Sequence, residues 1–207
     1  MRILFCKVAA MKYYKGVCDK DQPFNGGSFV KKTGTCMEDR NFWPVETDDG
    51  IYCFGFVETK TTSKNRAFAN DLHIEKIAGC EAMKDEESVD DVIIVWCATT
   101  DQNETSVMGW YKHAVVYRQY QGLDIKGDKD EHYYNVLAHE KDCVLLPRET
   151  RHKHIWNVPV AKKQGFGFGQ SMLWYGGEEN AQKYICNLIR NIDDYQDANW
   201  LYKFPTE

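Results

Sequence analysis

The chain has 207 residues, enough for one large domain or two small ones, and its 28% charged and 43% hydrophobic content is that of a folded globular protein. A formal net charge of -5 excludes a generally basic nucleic-acid coat, though not a local basic groove on an acidic body. No run approaches the ~20 apolar residues of a membrane span. The opening MRILFCK breaks its apolar run too early for a signal peptide, so the expected location is the cytoplasm.

Residues 3–10 read as a buried first strand, and 11–16 as an exit loop or short helix. Residues 21–49 are rich in Gly, Asn, Pro and Lys without periodicity and read as one long loop. Residues 51–58 and 72–77 read as strands, and 79–91 as an acidic connector with helical tendency. The fully apolar run 92–98 is a central strand, 99–105 a turn, and 107–117 its antiparallel neighbour. A charged loop over 122–131 precedes short strands at 133–138 and 143–146. Residues 147–163 form a basic loop region and 165–175 a Gly/Phe segment. Ala181, Tyr184, Ile185, Leu188, Ile189 and Ile192 repeat at the spacing of an amphipathic helix, with Glu178 and Glu179 near its positive end. Strands and helices do not alternate regularly, which argues against a doubly wound parallel sheet. The expected fold is α+β, a single domain over 1–207 with the long loop 21–49. Its sheet would be bent and mostly antiparallel, or a small β-barrel, with flanking helices including a C-terminal amphipathic one.

The 8 cysteines are scattered without any C-x-x-C pair, and Cys6, Cys53, Cys97 and Cys143 lie in apolar runs. They read as packed thiols, not as disulfides or zinc ligands. His152 and His154 lack a Cys or carboxylate at supportive spacing, so no metal and no cofactor is expected.

Aromatics make up 14% of the chain. In Gly109-Trp-Tyr-Lys-His113, strand alternation puts Trp110 and Lys112 on one face and Tyr111 and His113 on the other. Two uses fit: stacking on a planar base beside a cation, or core packing by one face. Asn25-Gly-Gly-Ser28 is either a Gly-rich turn or a loop whose amides, Asn25 and Ser28 approach a ligand. In GFGFGQSMLWY, Gln170 and Ser171 have the donors and acceptors to read a base edge, while the alternating Gly and Phe equally suit a strand bend. Arg148, Arg151, Lys153, Lys162 and Lys163 form a local reversal of charge that suits phosphates or plain solvated surface. Asp49, Glu58 and Lys60 resemble the Asp…Glu-x-Lys pattern of PD-(D/E)xK nucleases, where carboxylates hold Mg²⁺ and a lysine activates water.

Taken together, the opening strand, the acid-led DDVIIVW run and the following GWYK strand resemble the PUA-like superfamily with its EVE, YTH, ASCH and SRA domains. MKYYKG, NGGS, GFVET and GWYKHAVVYR resemble a bacterial group associated with modification-dependent restriction. The resemblance implies a module that binds DNA or RNA, modified or plain, and holds a flipped base in an aromatic cage. It implies a cage of Trp110, Tyr111 and Trp174 with Tyr13 or Tyr14. Asn25, Ser28, Gln170 or Ser171 would read the base edge, and Lys12, Lys15, Arg148, Arg151 and Lys153 would meet phosphates. Cleavage would then belong to a nuclease or NTPase partner in trans. Two alternatives from other classes are a Mg²⁺-dependent nuclease using Asp49, Glu58 and Lys60, and a small-molecule or nucleotide-binding protein.

Overall fold

The computed structural model describes residues 1–59, 71–124 and 131–205. Among them, the chain folds as α+β around one eight-stranded, open and mostly antiparallel sheet. The strands are β1 (Ile3–Lys7), β2 (Pro44–Thr47), β3 (Gly50–Gly55), β4 (Ser88–Thr99), β5 (Thr105–Leu123), β6 (His132–His139), β7 (Cys143–Leu145) and β8 (Leu173–Trp174). Their order is β2-β3-β6-β5-β4-β1-β8, with β7 also paired to β5. Only β1 and β4 run parallel, Ile3 opposite Ile93 through Lys7 opposite Cys97. The sheet is bent, not closed into a barrel.

The axis is the hairpin of β4 and β5, whose Val/Ile/Trp-rich run suits a strand buried on both faces. It pairs Ile94 with Tyr111, Val95 with Trp110 and Trp96 with Gly109. Bulges interrupt the ladder near Asp91 and His113, both in left-handed backbone at φ 53° and 50°. β5 bends so that Gly109–Tyr111 pair with β7 while its later half pairs with β6. Gly109 has a steric reason: a Cβ there would lie 2.1 Å from the Val144 carbonyl oxygen and 2.7 Å from the Phe42 ring. Gly167, at φ +104°, is likewise forced, since a Cβ would lie 2.1 Å from the Pro159 carbonyl oxygen.

Alternation along β4 and β5 feeds two cores. Trp96 and Tyr111 pack on one face with Leu4, Tyr14, Phe42 and Cys53. Trp110, Val95 and Cys97 pack on the other with Phe5, Trp156, Trp174 and the C-terminal helix. That helix, Gln182–Asp193, buries Ile185, Leu188, Ile189 and Ile192 and follows a 3₁₀ turn at Glu179–Ala181, as its periodicity requires. Cys6, Cys53, Cys97 and Cys143 are buried free thiols, and burial pushes those of Cys6 and Cys97 up.

Four local expectations are corrected. The loop 21–49 contains helix α1 (Gly27–Thr33) as well as β2, which forms because β3 offers an antiparallel partner. Residues 72–77 make a 3₁₀ turn, Ile74–Lys76, whose Leu72, Ile74 and Ile77 enter the core without a ladder partner. The acidic stretch before residue 92 is not helical at its end: Ser88–Asp91 already belong to β4. The basic region 147–163 carries two short helices, α2 (Arg148–Arg151) and α3 (Ala161–Gln164). The Gln182–Asp193 helix is α4. No helix among the described residues is long and apolar enough to cross a membrane.

Candidate ligand cleft

The cleft is built around Met11–Tyr14, the segment that leaves β1. Two buried side chains of opposite charge pin its backbone. The Asp21 carboxylate accepts from the amides of Lys12 (2.5 Å), Tyr13 (2.8 Å) and Tyr14 (2.9 Å). The Arg151 guanidinium donates to the carbonyls of Met11 (2.6 Å), Lys12 (2.9 Å) and Leu146 (2.8 Å). One group satisfies the N–H side of the segment and the other its C=O side. Charge-assisted hydrogen bonds of this kind are worth ~1.5–3 kcal/mol each. Arg151 is 4% exposed, and its fourth contact is the Met108 sulfur at 3.7 Å. Burial draws its pKa down, yet a guanidinium stays protonated.

Above this floor of Met11, Met108 and Arg151 opens a cleft of about 340 Å³. That lies at the lower end of the ~300–1,000 Å³ typical of ligand sites. Phe24, 49% exposed, forms an apolar wall, held by the Ala10–Phe24 bridge. Asn25 (φ 56°) ties the same turn to the end of β4, donating to the carbonyls of Thr99 (3.2 Å) and Thr100 (3.4 Å). Lys12, Lys20, Arg148 and His152 stand at the rim with Asp101. Arg148 pairs with Asp101 at 2.8 Å and holds its carboxyl below the usual range, while His152 Nε2 lies 3.9 Å from the same carboxylate. The lining thus carries Lys12, Lys20, Arg148 and Arg151 against Asp21 and Asp101 on a chain of net charge -5. Two buried polar atoms of the lining, Thr100 Oγ1 and His152 Nδ1, have no hydrogen-bond partner.

Of the residues predicted from sequence, Lys12, Arg148 and Arg151 line this cleft and Asn25 braces its wall. The aromatic cage does not assemble. Trp110 is 2% exposed, stacked on Trp156 with centroids 5.4 Å apart. Tyr111 is wedged between Trp96 and Phe42 on the opposite face of the sheet. Trp174 packs on Phe5 at 4.3 Å and donates from Nε1 to Glu178 at 2.8 Å. These are core residues, because β5 and β8 are covered on the faces the rings occupy. Tyr13 stacks on Trp200, and the buried Tyr14 hydroxyl donates to the Ala9 carbonyl at 2.7 Å.

Lys15 is buried, donates to the Phe42 carbonyl and sits over the Phe204 ring. Burial lowers its pKa to about 8, and its ammonium is turned to these partners, not to the cleft. Lys112 reaches Asp193 on α4 at 2.6 Å, at the far end of β4. Lys153 lines a separate groove with Trp156 and Tyr195. Gln170 is exposed and Ser171 accepts from the Leu173 amide at 3.1 Å, and neither lines the cleft. Ser28 lies in α1, its side chain outside those described.

Asp49 precedes β3 and Glu58 follows it, so the strand, rising ~3.3 Å per residue, holds them apart. Lys60 lies outside the described residues. No group of three His, Cys, Asp or Glu able to hold a metal occurs among the described residues. Sequence reasoning did not single out Asp21, Phe24, Thr100, Asp101 or Met108. Of these, Phe24 alone has a local mark, its place next to the Gly-rich Asn25-Gly-Gly turn. Comparison with protein-family models, curated proteins and solved structures found no match.

Proposed function

We propose that this chain is a nucleic-acid-binding module that holds one nucleotide of a strand in the cleft between Met11–Phe24 and Arg148–His152. The observation that carries this function is the buried Arg151 guanidinium, hydrogen-bonded only to carbonyls and a thioether, beneath a rim of Lys12, Lys20 and Arg148. Asp21 is its buried counter-charge, so the excess comes from the lining as a whole, four cations against two carboxylates, which raises the local potential and favours an anion. Phe24, Met11 and Met108 supply the apolar surface on which a base rests, and the rim cations meet its phosphates. The single-base pocket implied by the PUA-like resemblance is retained but moved away from Trp110 and Trp174. Recognition of a modified base, and an effector nuclease or NTPase acting in trans, belong to the same proposal.

Fluorescence-anisotropy titration of labelled single- and double-stranded DNA and RNA, plain and base-modified, across 50–300 mM salt tests this function. Binding that weakens with salt, and that Phe24→Ala and Arg148→Glu each reduce, is the expected result. No binding to any strand at low salt, or binding indifferent to both substitutions, overturns it.

A further inference from the structure

Of the two acids that line the cleft, only Asp21 serves the fold. It is buried and accepts from three backbone amides, so it cannot turn to a ligand without releasing Met11–Tyr14. The Asp101 side chain is 50% exposed. Beyond its own amide, its carboxylate meets only cations of the lining, Arg148 Nη2 at 2.8 Å and His152 Nε2 at 3.9 Å. The turn that carries it closes through other atoms. The Thr100 amide donates to the Glu104 carbonyl (2.8 Å), the Asn103 amide to the Thr100 carbonyl (3.0 Å), and Asn25 clamps Thr100 from the wall. Arg148 is as exposed as its partner and has no other ion pair among the described residues. Such an exposed pair adds little to stability.

A carboxylate and a phosphate oxygen ask the same of a guanidinium, a charge-assisted N–H···O bond. A phosphate arriving at Arg148 must displace Asp101 or settle beside it as a like charge, and either course takes free energy from binding. Resting on the proposed nucleic-acid function, we infer that Asp101 is a built-in competitor of the ligand phosphate: it holds Arg148 while the cleft is empty and lowers the affinity for the strand.

Fluorescence anisotropy with labelled mixed-sequence single-stranded DNA and RNA compares the full chain with Asp101→Asn, Arg148→Gln and the double variant. Asp101→Asn keeps the size of the side chain and removes its charge. It is expected to bind ~3–5-fold more tightly, the effect of one exposed ion pair, with an unchanged melting temperature. The slope of log affinity against log salt should steepen by ~0.7, because no displaced carboxylate is left to offset one phosphate contact. On the Arg148→Gln background the same substitution should change affinity by less than ~2-fold, since the contested cation is gone. Glu104→Gln removes a charge from the same turn, outside the cleft lining, and should fall short of the gain. An Asp101→Asn chain that binds no better than the parent overturns the inference and leaves the nucleic-acid function standing. A gain that persists in full without Arg148, or that Glu104→Gln reproduces, also overturns it, because the carboxylate then acts only through net charge. No binding of either strand by any of these chains overturns the inference and the function together.

Discussion

The two ends of β4 teach opposite lessons about charge. The strand's 12 residues span ~40 Å. At its C-terminal end lies the 340 Å³ cleft, and at its N-terminal end a broader groove of about 730 Å³ lined by Arg2, Asp90, Asp91, Lys112, His113 and Asp193. In the groove Arg2 pairs with Asp90 at 2.9 Å and Lys112 with Asp193 at 2.6 Å, and the His113 ring is hydrogen-bonded to Asp91 at 2.7 Å. In the cleft, Arg148 has Asp101, but Arg151 has only neutral acceptors, and Thr100 and His152 each keep an unpartnered atom. The arginine and lysine of the larger hollow are each matched by an acid, whereas polar atoms of the smaller one stay unmatched. Volume alone points to the N-terminal end of β4, whereas unmatched polarity points to the cleft.

The largest expected effect comes from breaking the cleft's floor. Arg151→Met removes three hydrogen bonds to carbonyls and leaves Asp21 buried without its neighbouring cation. A loss of ~3 kcal/mol or more in urea unfolding is expected. A loss below ~1 kcal/mol would mean that Asp21 alone pins Met11–Tyr14.

Next in size is the contrast between rim and groove. Arg148→Glu should weaken oligonucleotide binding ~10-fold and flatten the slope of log affinity against log salt by ~0.7–0.9 for each phosphate that the rim no longer neutralises. Lys112→Met, at the other end of the strand, should leave both unchanged. Equal effects from the two substitutions would erase the distinction drawn between the ends.

A smaller effect concerns how the acidic end uses its charge. Arg118 pairs with Glu75 at 2.9 Å and donates to the carbonyls of Met83, Lys84 and Glu86, closing the turn before β4. Burial acts to raise Glu75. Its own amide and its hydrogen bonds to Arg118 and His73 outweigh that and bring its pKa down to about 2. The folded pKa is depressed, so this carboxylate stabilises the fold above about pH 4.5, and the contribution fades as pH falls toward 2. Stability curves over that window should be flatter for Glu75→Gln than for the parent chain. Curves of equal slope would place the acid sensitivity elsewhere.

The smallest effect is expected in the groove. His113→Gly removes an exposed hydrogen bond to Asp91 worth ~0–1 kcal/mol and relieves left-handed backbone strain of similar size. A net change within ~1 kcal/mol is expected, with binding unaffected. Loss of nucleic-acid binding would make the bulge part of the site.

How far the sequence speaks differs by element. The hairpin of β4 and β5 and helix α4 follow from apolar periodicity, because burial on two faces or one demands a repeating pattern whatever the partner. Arg148 and Arg151 stand out as part of a local reversal of charge in an acidic chain, and Lys12 follows only from the PUA-like resemblance, but Arg151 gives no sign that it is buried. The aromatics misled for a definite reason. Trp110, Tyr111 and Trp174 have the ring and polar tip of a stacking site, and the same features fit a two-sided core.

By itself, the sequence determined the α+β class, the antiparallel centre and the amphipathic C-terminal helix. These depend on local spacing and residue type. The tertiary structure alone decided that both faces of β5 are covered, that Asp49 and Glu58 stand apart, and that Asp21 and Arg151 meet across Met11–Tyr14. Those outcomes depend on pairings such as that of Arg151 with Met11, 140 residues apart in the chain. Local pattern does not encode which distant carbonyl a buried guanidinium will find, or which polar atom will be left without one.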